Sequence, residues 1–116
     1  MSANKLKKSI GKTVITLNDE ILELQKEFKG VKEGGKISKK GERLVKAIKE
    51  KKDALKDTLT KLEEKPEYVV EEKLEKTVQM IRTNIQTAEI VLEENVVDKV
   101  EIEAARQNAL VSVEEI

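Results

Sequence analysis

The chain has 116 residues, 40% of them charged and 2% aromatic, with no Cys and no His. That excludes disulfides, thiolate metal sites and any nucleophile–base pair built on Cys or His. A net charge of zero hides an asymmetry: Met1 to Lys61 carries 17 basic and 9 acidic residues (+8), and Leu62 to Ile116 carries 6 and 14 (−8).

Five Gly and one Pro are too few for the many turns of a β-sandwich and suit a bundle built on Leu, Ile and Val. The length fits a single domain spanning residues 1–116. No window approaches the ~18 apolar residues of a membrane span. The N-terminus has no continuous apolar stretch of the kind a secretory signal needs. Together with the absence of Cys, this sets the expectation of a cytoplasmic protein without membrane contact. The charge asymmetry has two readings. The halves neutralise each other on folding, or a basic face meets an acidic partner, nucleic acid or the acidic end of another copy.

The first predicted helix covers about residues 4–29. Ile10, Val14, Leu17, Ile21, Leu24 and Phe28 follow one another at alternating steps of four and three, the heptad seam of a helix packed on a helix. Ile15 and Leu22 widen the stripe toward a second neighbour. Gly11 is a weak point, costing about 1 kcal/mol relative to Ala, and places the onset of order near Lys12. Gly30 to Lys36 breaks the helix with three glycines, and Ser38 is a fair N-cap for the next.

The second helix, about 38–64, buries Leu44, Val45, Ile48, Leu55, Leu59 and Leu62. A gap in the stripe at Lys51 and Lys52 implies snorkelling lysine stems or thin packing. Lys46, Lys49, Lys52 and Lys56 share one flank and form the densest basic row. Pro66 then opens a third helix, about 67–94. Its seam is Leu74, Val78, Ile81, Ile85, Ala88 and Leu92, and its polar, weakly charged flank is Gln79, Arg82, Asn84 and Gln86. Asp98 followed by Glu101 resembles a capping box, which favours a break at 95–98 and a fourth helix over 98–115. The heptad phase nevertheless runs on through Asn95, Lys99, Ile102, Arg106, Ala109 and Val113. One uninterrupted helix of about 50 residues would reach about 75 Å and invite a homodimer.

Few stretches offer chemistry. Gly30 to Ile37 approaches the phosphate-loop pattern, but Ile37 stands where Ser or Thr is needed and a helix precedes the loop instead of a strand. Glu63/Glu64, Glu71/Glu72 and Glu93/Glu94 are neighbours that point about 100° apart on a helix and do not chelate as pairs. No metal, no cofactor and no catalytic residue is expected, and the chain is read as no enzyme. The lysine row could contact phosphates or an acidic partner. With only Phe28 and Tyr68 for stacking, nucleic acid is the weaker partner class. The flank of Gln79, Arg82 and Gln86 desolvates more easily than its charge-dense surroundings, which suits a protein interface.

Lys8-Ser9-Ile10, the stretch from Glu23 to Gly34, and Leu74-Glu75-Lys76-Thr77-Val78-Gln79 together resemble the BAG domain, a three-helix module. The resemblance implies a co-chaperone that binds the ATPase domain of heat-shock chaperones and promotes nucleotide exchange. It places Gln79 at a partner-contacting glutamine and Asp53 or Asp57 at the acidic contact of the second helix. Glu71 and Glu72 stand where that family carries a basic pair. The chain is also similar in size and charge to tubulin-binding cofactor A. The expectation is therefore all-α: an antiparallel, up-down three-helix bundle with an additional C-terminal helical segment. It is expected to act as a chaperone-like adaptor through Gln79, Arg82 and Gln86. The alternatives are a self-assembling scaffold protein, and a nucleic-acid-associated protein using Lys46, Lys49, Lys52 and Lys56.

Overall fold

The computed structural model describes residues 2–32, 38–93 and 95–115, with the backbone alone for 29–32. It is all-α. Helix α1 runs over Ala3–Lys32, α2 over Lys39–Glu63, α3 over Pro66–Glu71, α4 over Glu75–Leu92 and α5 over Lys99–Glu114. Residues 33–37, which hold most of the glycine-rich break and the phosphate-loop likeness, lie outside the described residues.

Helix α1 is the axis of the fold. Its 30 residues span about 45 Å of a molecule 52 Å long. It touches α2, α4 and α5, whereas α4 and α5 barely meet. Side-chain bonds give the directions. Ser38 donates to Glu27 at 2.8 Å and Lys40 to Glu23 at 3.2 Å, so α2 runs antiparallel to α1. Arg82 reaches Glu63 at 3.1 Å and Lys56 lies 3.7 Å from Glu89, so α4 runs antiparallel to α2. Gln25 bonds to Val97 and Arg106 to Asp19, so α5 also runs antiparallel to α1.

The core is one continuous cluster. From α1 come Ile10, Val14, Leu17, Ile21, Leu24 and Phe28, all buried. From α2 come Ile48, Leu55 and Leu62, one residue per heptad, so α2 presents a narrow edge. The gap between Ile48 and Leu55 is occupied by an ion pair. Lys51 Nζ lies 2.9 and 3.1 Å from the two carboxylate oxygens of Glu20, the most enclosed ion pair among the described residues. Its stem covers core that an apolar residue would otherwise cover. Ser38 caps α2, accepting from the Gly41 N–H at 3.1 Å.

Two sequence expectations need correction. Order does not wait for Lys12, because α1 begins at Ala3 and passes through Gly11. Gly11 is buried against α5: a β-carbon there would overlap Val113 Cγ2 and press on the Ala109 carbonyl at 3.3 Å. The helix tolerates a poor helix former because its missing side chain lets α5 approach. The expected third helix, 67–94, is also two helices. After α3 the chain takes a left-handed conformation at Lys73, φ 54°. The Leu74 N–H then bonds to the Val69 carbonyl at 2.8 Å and the Lys73 N–H to Val70 at 3.2 Å. That is the hydrogen-bond pattern of a Schellman stop, with lysine where glycine is usual. Leu74, fully buried, supplies the apolar contact that accompanies it.

Gly11→Ala is expected to destabilise the protein by about 1–2 kcal/mol, despite a helix-propensity gain near 1 kcal/mol, because the overlap with Val113 must be relieved. Adding Val113→Ala recovers part of that loss in urea unfolding. Lys73→Gly is expected to raise stability by about 0.5–1 kcal/mol by removing left-handed strain. A lower melting temperature would contradict that reading of the stop.

Candidate functional site

Helix α4 carries the lowest charge of the long helices, with Glu75, Lys76, Arg82 and Glu89 in 18 residues. Its faces have different neighbours. One packs into the core through Ile81, Ile85 and Ala88. A second borders α2, where Arg82 meets Glu63 and Glu89 meets Lys56. The third looks toward α5 without touching it closely, because both helices rest on α1.

The gap between them is a groove of about 450 Å3. Met80, Thr83 and Gln79 form the α4 wall, and Ala105, Asn108, Val111 and Ser112 form the α5 wall. Its charged residues, Lys76 and Glu115, stand together at one end, at the start of α4 and just past α5. The middle of the groove is apolar or carries uncharged hydrogen-bonding groups, within a chain that is 40% charged. The volume lies within the range of ligand clefts, but the shape is an open trough between two antiparallel rods.

Below the groove lies a buried polar pair. Asn84, 1% exposed, donates through Nδ2 to the Met80 carbonyl at 2.7 Å and accepts from Asn18 Nδ2 at 2.8 Å. Asn18, fully buried, also donates to the Val14 carbonyl at 2.8 Å, and its Oδ1 has no partner among the described residues. Asn84 therefore does not belong to the exposed polar flank in which the sequence places it. Its bond to Asn18 fixes the register of α4 on α1.

The other predicted residues separate. Gln79 is exposed on the groove wall, with Nε2 3.5 Å from Thr83 Oγ1. Arg82 turns away toward Glu63 on α2, and Gln86 is exposed outside the groove. Lys46 and Lys49 are exposed, Lys52 is half-buried and Lys56 faces Glu89, so of the lysine row Lys56 is the member seen against α4. Asp53 and Asp57 are exposed on α2, about 20 and 14 Å along the bundle axis from Gln79, counted from the Glu63–Arg82 bond. Among the described residues, no three of His, Cys, Asp and Glu converge to hold a metal ion. No helix of the described residues is long and apolar enough to cross a membrane.

Comparison with family models, curated proteins and solved structures finds no match. The site therefore stands on its own geometry. The sequence reading missed the α5 wall because it treated that segment only as a continuation of the seam. The missed signal is the uncharged α5 stripe of Ala105, Asn108 and Ser112, at i, i+3 and i+7, with Val111, 41% exposed, beside it. It is spaced helically and lies apart from the stripe of Ile102, Ala109 and Val113 that faces α1.

Asn84→Ala is expected to cost about 2–3 kcal/mol, since it strands the Asn18 amide and leaves a hole. Replacing both residues with Leu is expected to change stability by less than about 1 kcal/mol, because no buried amide is left unpaired. Chemical denaturation of the single and double variants measures both.

Proposed function

We propose that this chain is a non-enzymatic protein-interaction module, an adaptor or co-chaperone-like helical bundle that receives a partner helix in the groove between α4 and α5. The observation that carries this reading is the uncharged middle of the groove on an otherwise charge-dense surface. Charged residues are depleted from interface cores because their desolvation is poorly repaid, while Met is enriched there. Met80 and Val111 would meet the apolar face of the incoming helix. Gln79, Asn108 and Ser112 would form a hydrogen-bonding rim around them.

The trough suits a helix. From Ala105 to Glu115 its α5 wall rises about 15 Å, close to three helical turns. Small side chains at Thr83, Ala105 and Ser112 leave room for a third rod between two existing ones. The partner would present apolar residues at positions i, i+3, i+4 and i+7. Of the three flank residues picked from the sequence, only Gln79 falls inside this surface. The ATPase domain of a heat-shock chaperone remains the first partner to try, on the resemblance alone.

A partner captured on the immobilised chain, then purified and titrated back, is expected to bind Met80→Glu and Val111→Glu at least tenfold more weakly. Val111 is exposed, so Val111→Glu should hardly move the melting temperature. Met80 packs partly against the core, so Met80→Glu is expected to lower it while leaving the chain folded at the temperature of the titration. Alanine at Arg82 and Gln86 should leave affinity within about twofold, since neither lines the groove. Unchanged binding by both glutamate variants would remove the groove from consideration.

A further inference from the structure

The stretch from Glu75 to Ile116 contains no glycine and no proline. No glycine or proline dictates a turn, yet Asn95–Asp98 is not helical and the chain folds back there. Three sets of bonds hold it so, the first being local: the Asn95 N–H donates to the Ile90 carbonyl at 3.1 Å and closes the end of α4. The Gln25 side chain treats Val97 as a strand neighbour would: Nε2 donates to the Val97 carbonyl at 3.1 Å, and Oε1 accepts from its N–H at 2.7 Å. Asp98 Oδ1 accepts from the Val100 N–H at 2.9 Å and caps α5. One amide from α1 therefore satisfies both backbone groups of the residue that most needs them, since Val97 is only 8% exposed.

Three further features concern what the turn costs. The heptad phase of α4 passes unbroken through Asn95 and Lys99 to Ile102, Ala109 and Val113. Helix α5 spends its buried face on α1 and hardly touches α4, so its seat is independent of the helix it is tethered to. Val96 and Val100, beside the turn, are 56% and 70% exposed. On a continuous helix they would follow Leu92 at i+4 and i+8, a stripe that drifts about 80° around the axis.

We propose that α5 is an exchangeable arm: the turn at Asn95–Asp98 straightens into a continuous α4–α5 helix, and α5 docks on α1 of a second copy while that copy reciprocates. Every α1–α5 contact is kept, including Arg106 to Asp19 and the close approach at Gly11. A lone chain cannot keep the open form, because its own α1 face would lose its cover. Since α5 runs antiparallel to α1 in either form, the two copies are related by a two-fold axis across the continuous helices. Near that axis the stripes of Leu92, Val96 and Val100 from the two copies face each other and leave water. The fused helix, Glu75 to Glu114, is about 60 Å long.

The latch and the turn give opposite variants, and neither residue lines the α4–α5 groove. Gln25→Ala leaves the Val97 backbone unpaired in the closed form only, and is expected to tighten the dimer at least tenfold. Val96→Pro forbids a continuous helix while removing no backbone hydrogen bond seen at that residue, and is expected to abolish the dimer. Light scattering after size exclusion, from about 10 μM to 1 mM, reads both. Exchange itself is read with cysteine pairs in this Cys-free chain. A mixture of Asp19→Cys and Arg106→Cys copies, incubated at high concentration and treated with a short bismaleimide, should give a covalent heterodimer that Val96→Pro suppresses. A monomeric Gln25→Ala, whether fully folded or merely less stable, would overturn the proposal. So would a Val96→Pro variant that dimerises as well as the parent.

Discussion

Burial of α1 on several sides is the constraint on which the rest of the fold depends. Ile10, Val14, Leu17, Ile21, Leu24 and Phe28 are almost inaccessible, and Gly11 and Asn18 between them are buried as well. A stripe this wide cannot be covered by one neighbour. It takes α2 and α4 on one side and α5 on the other. Because α5 is positioned by α1, and α4 by α2 and α1, with neither positioned by the other, a trough is left between them. The candidate site is thus the space left by two helices that share a support.

The same arrangement explains why a polar pair is tolerated inside. Asn18 and Asn84 meet at 2.8 Å, and each also donates to a carbonyl one turn back on its own helix. One oxygen, Asn18 Oδ1, is left without a partner among the described residues. An all-apolar contact at this level would slide along the heptad at little cost, whereas the amide pair is satisfied in one register only. That register decides which α4 residues line the groove.

Legibility in the sequence varied with the kind of force involved. The α1 seam was readable residue by residue, because apolar periodicity and burial coincide there. On α4 the seam pointed to Val78 and Leu92, which are half-buried, whereas Thr77 and Asn84 take deeper places beside Val91, whose burial off the seam was expected. Residues 77, 84 and 91 have the same heptad spacing as 74, 81 and 88, but a reading based on apolarity passes over Thr and Asn. Asn84 becomes buriable only because Asn18, 66 residues earlier, faces it. The stop at Lys73 carries no glycine to announce it, and Gly11 announces a helix defect where the fold uses a close approach. Of the functional surface, Gln79 was visible as a low-charge flank. The α5 wall was not, since a weak stripe gains meaning only opposite another helix.

The charge asymmetry between the halves takes on a different character in three dimensions. Helices α1 and α2 carry net charges of +3 and +4, whereas α4 is neutral and α5 is −1, so most of the acidic excess of the second half sits in α3 and the connecting segments. Few direct bonds do the cancelling. Lys56–Glu89 is the one described ion pair that joins a base of the first half to an acid of the second, and Arg106–Asp19 joins the halves with the signs reversed. Neighbouring helix axes lie about 8–10 Å apart, comparable to the screening length of about 8 Å at physiological salt. The basic excess of α1 and α2 is therefore largely screened by salt beyond the neighbouring helix. At the groove, whose α4 wall belongs to a helix without net charge, a charged partner is steered weakly, whatever its sign. Recognition then falls to contacts made after encounter, where shape and desolvation decide. On this molecule the place best suited to that is the uncharged stretch of α4 and α5 around Met80 and Val111.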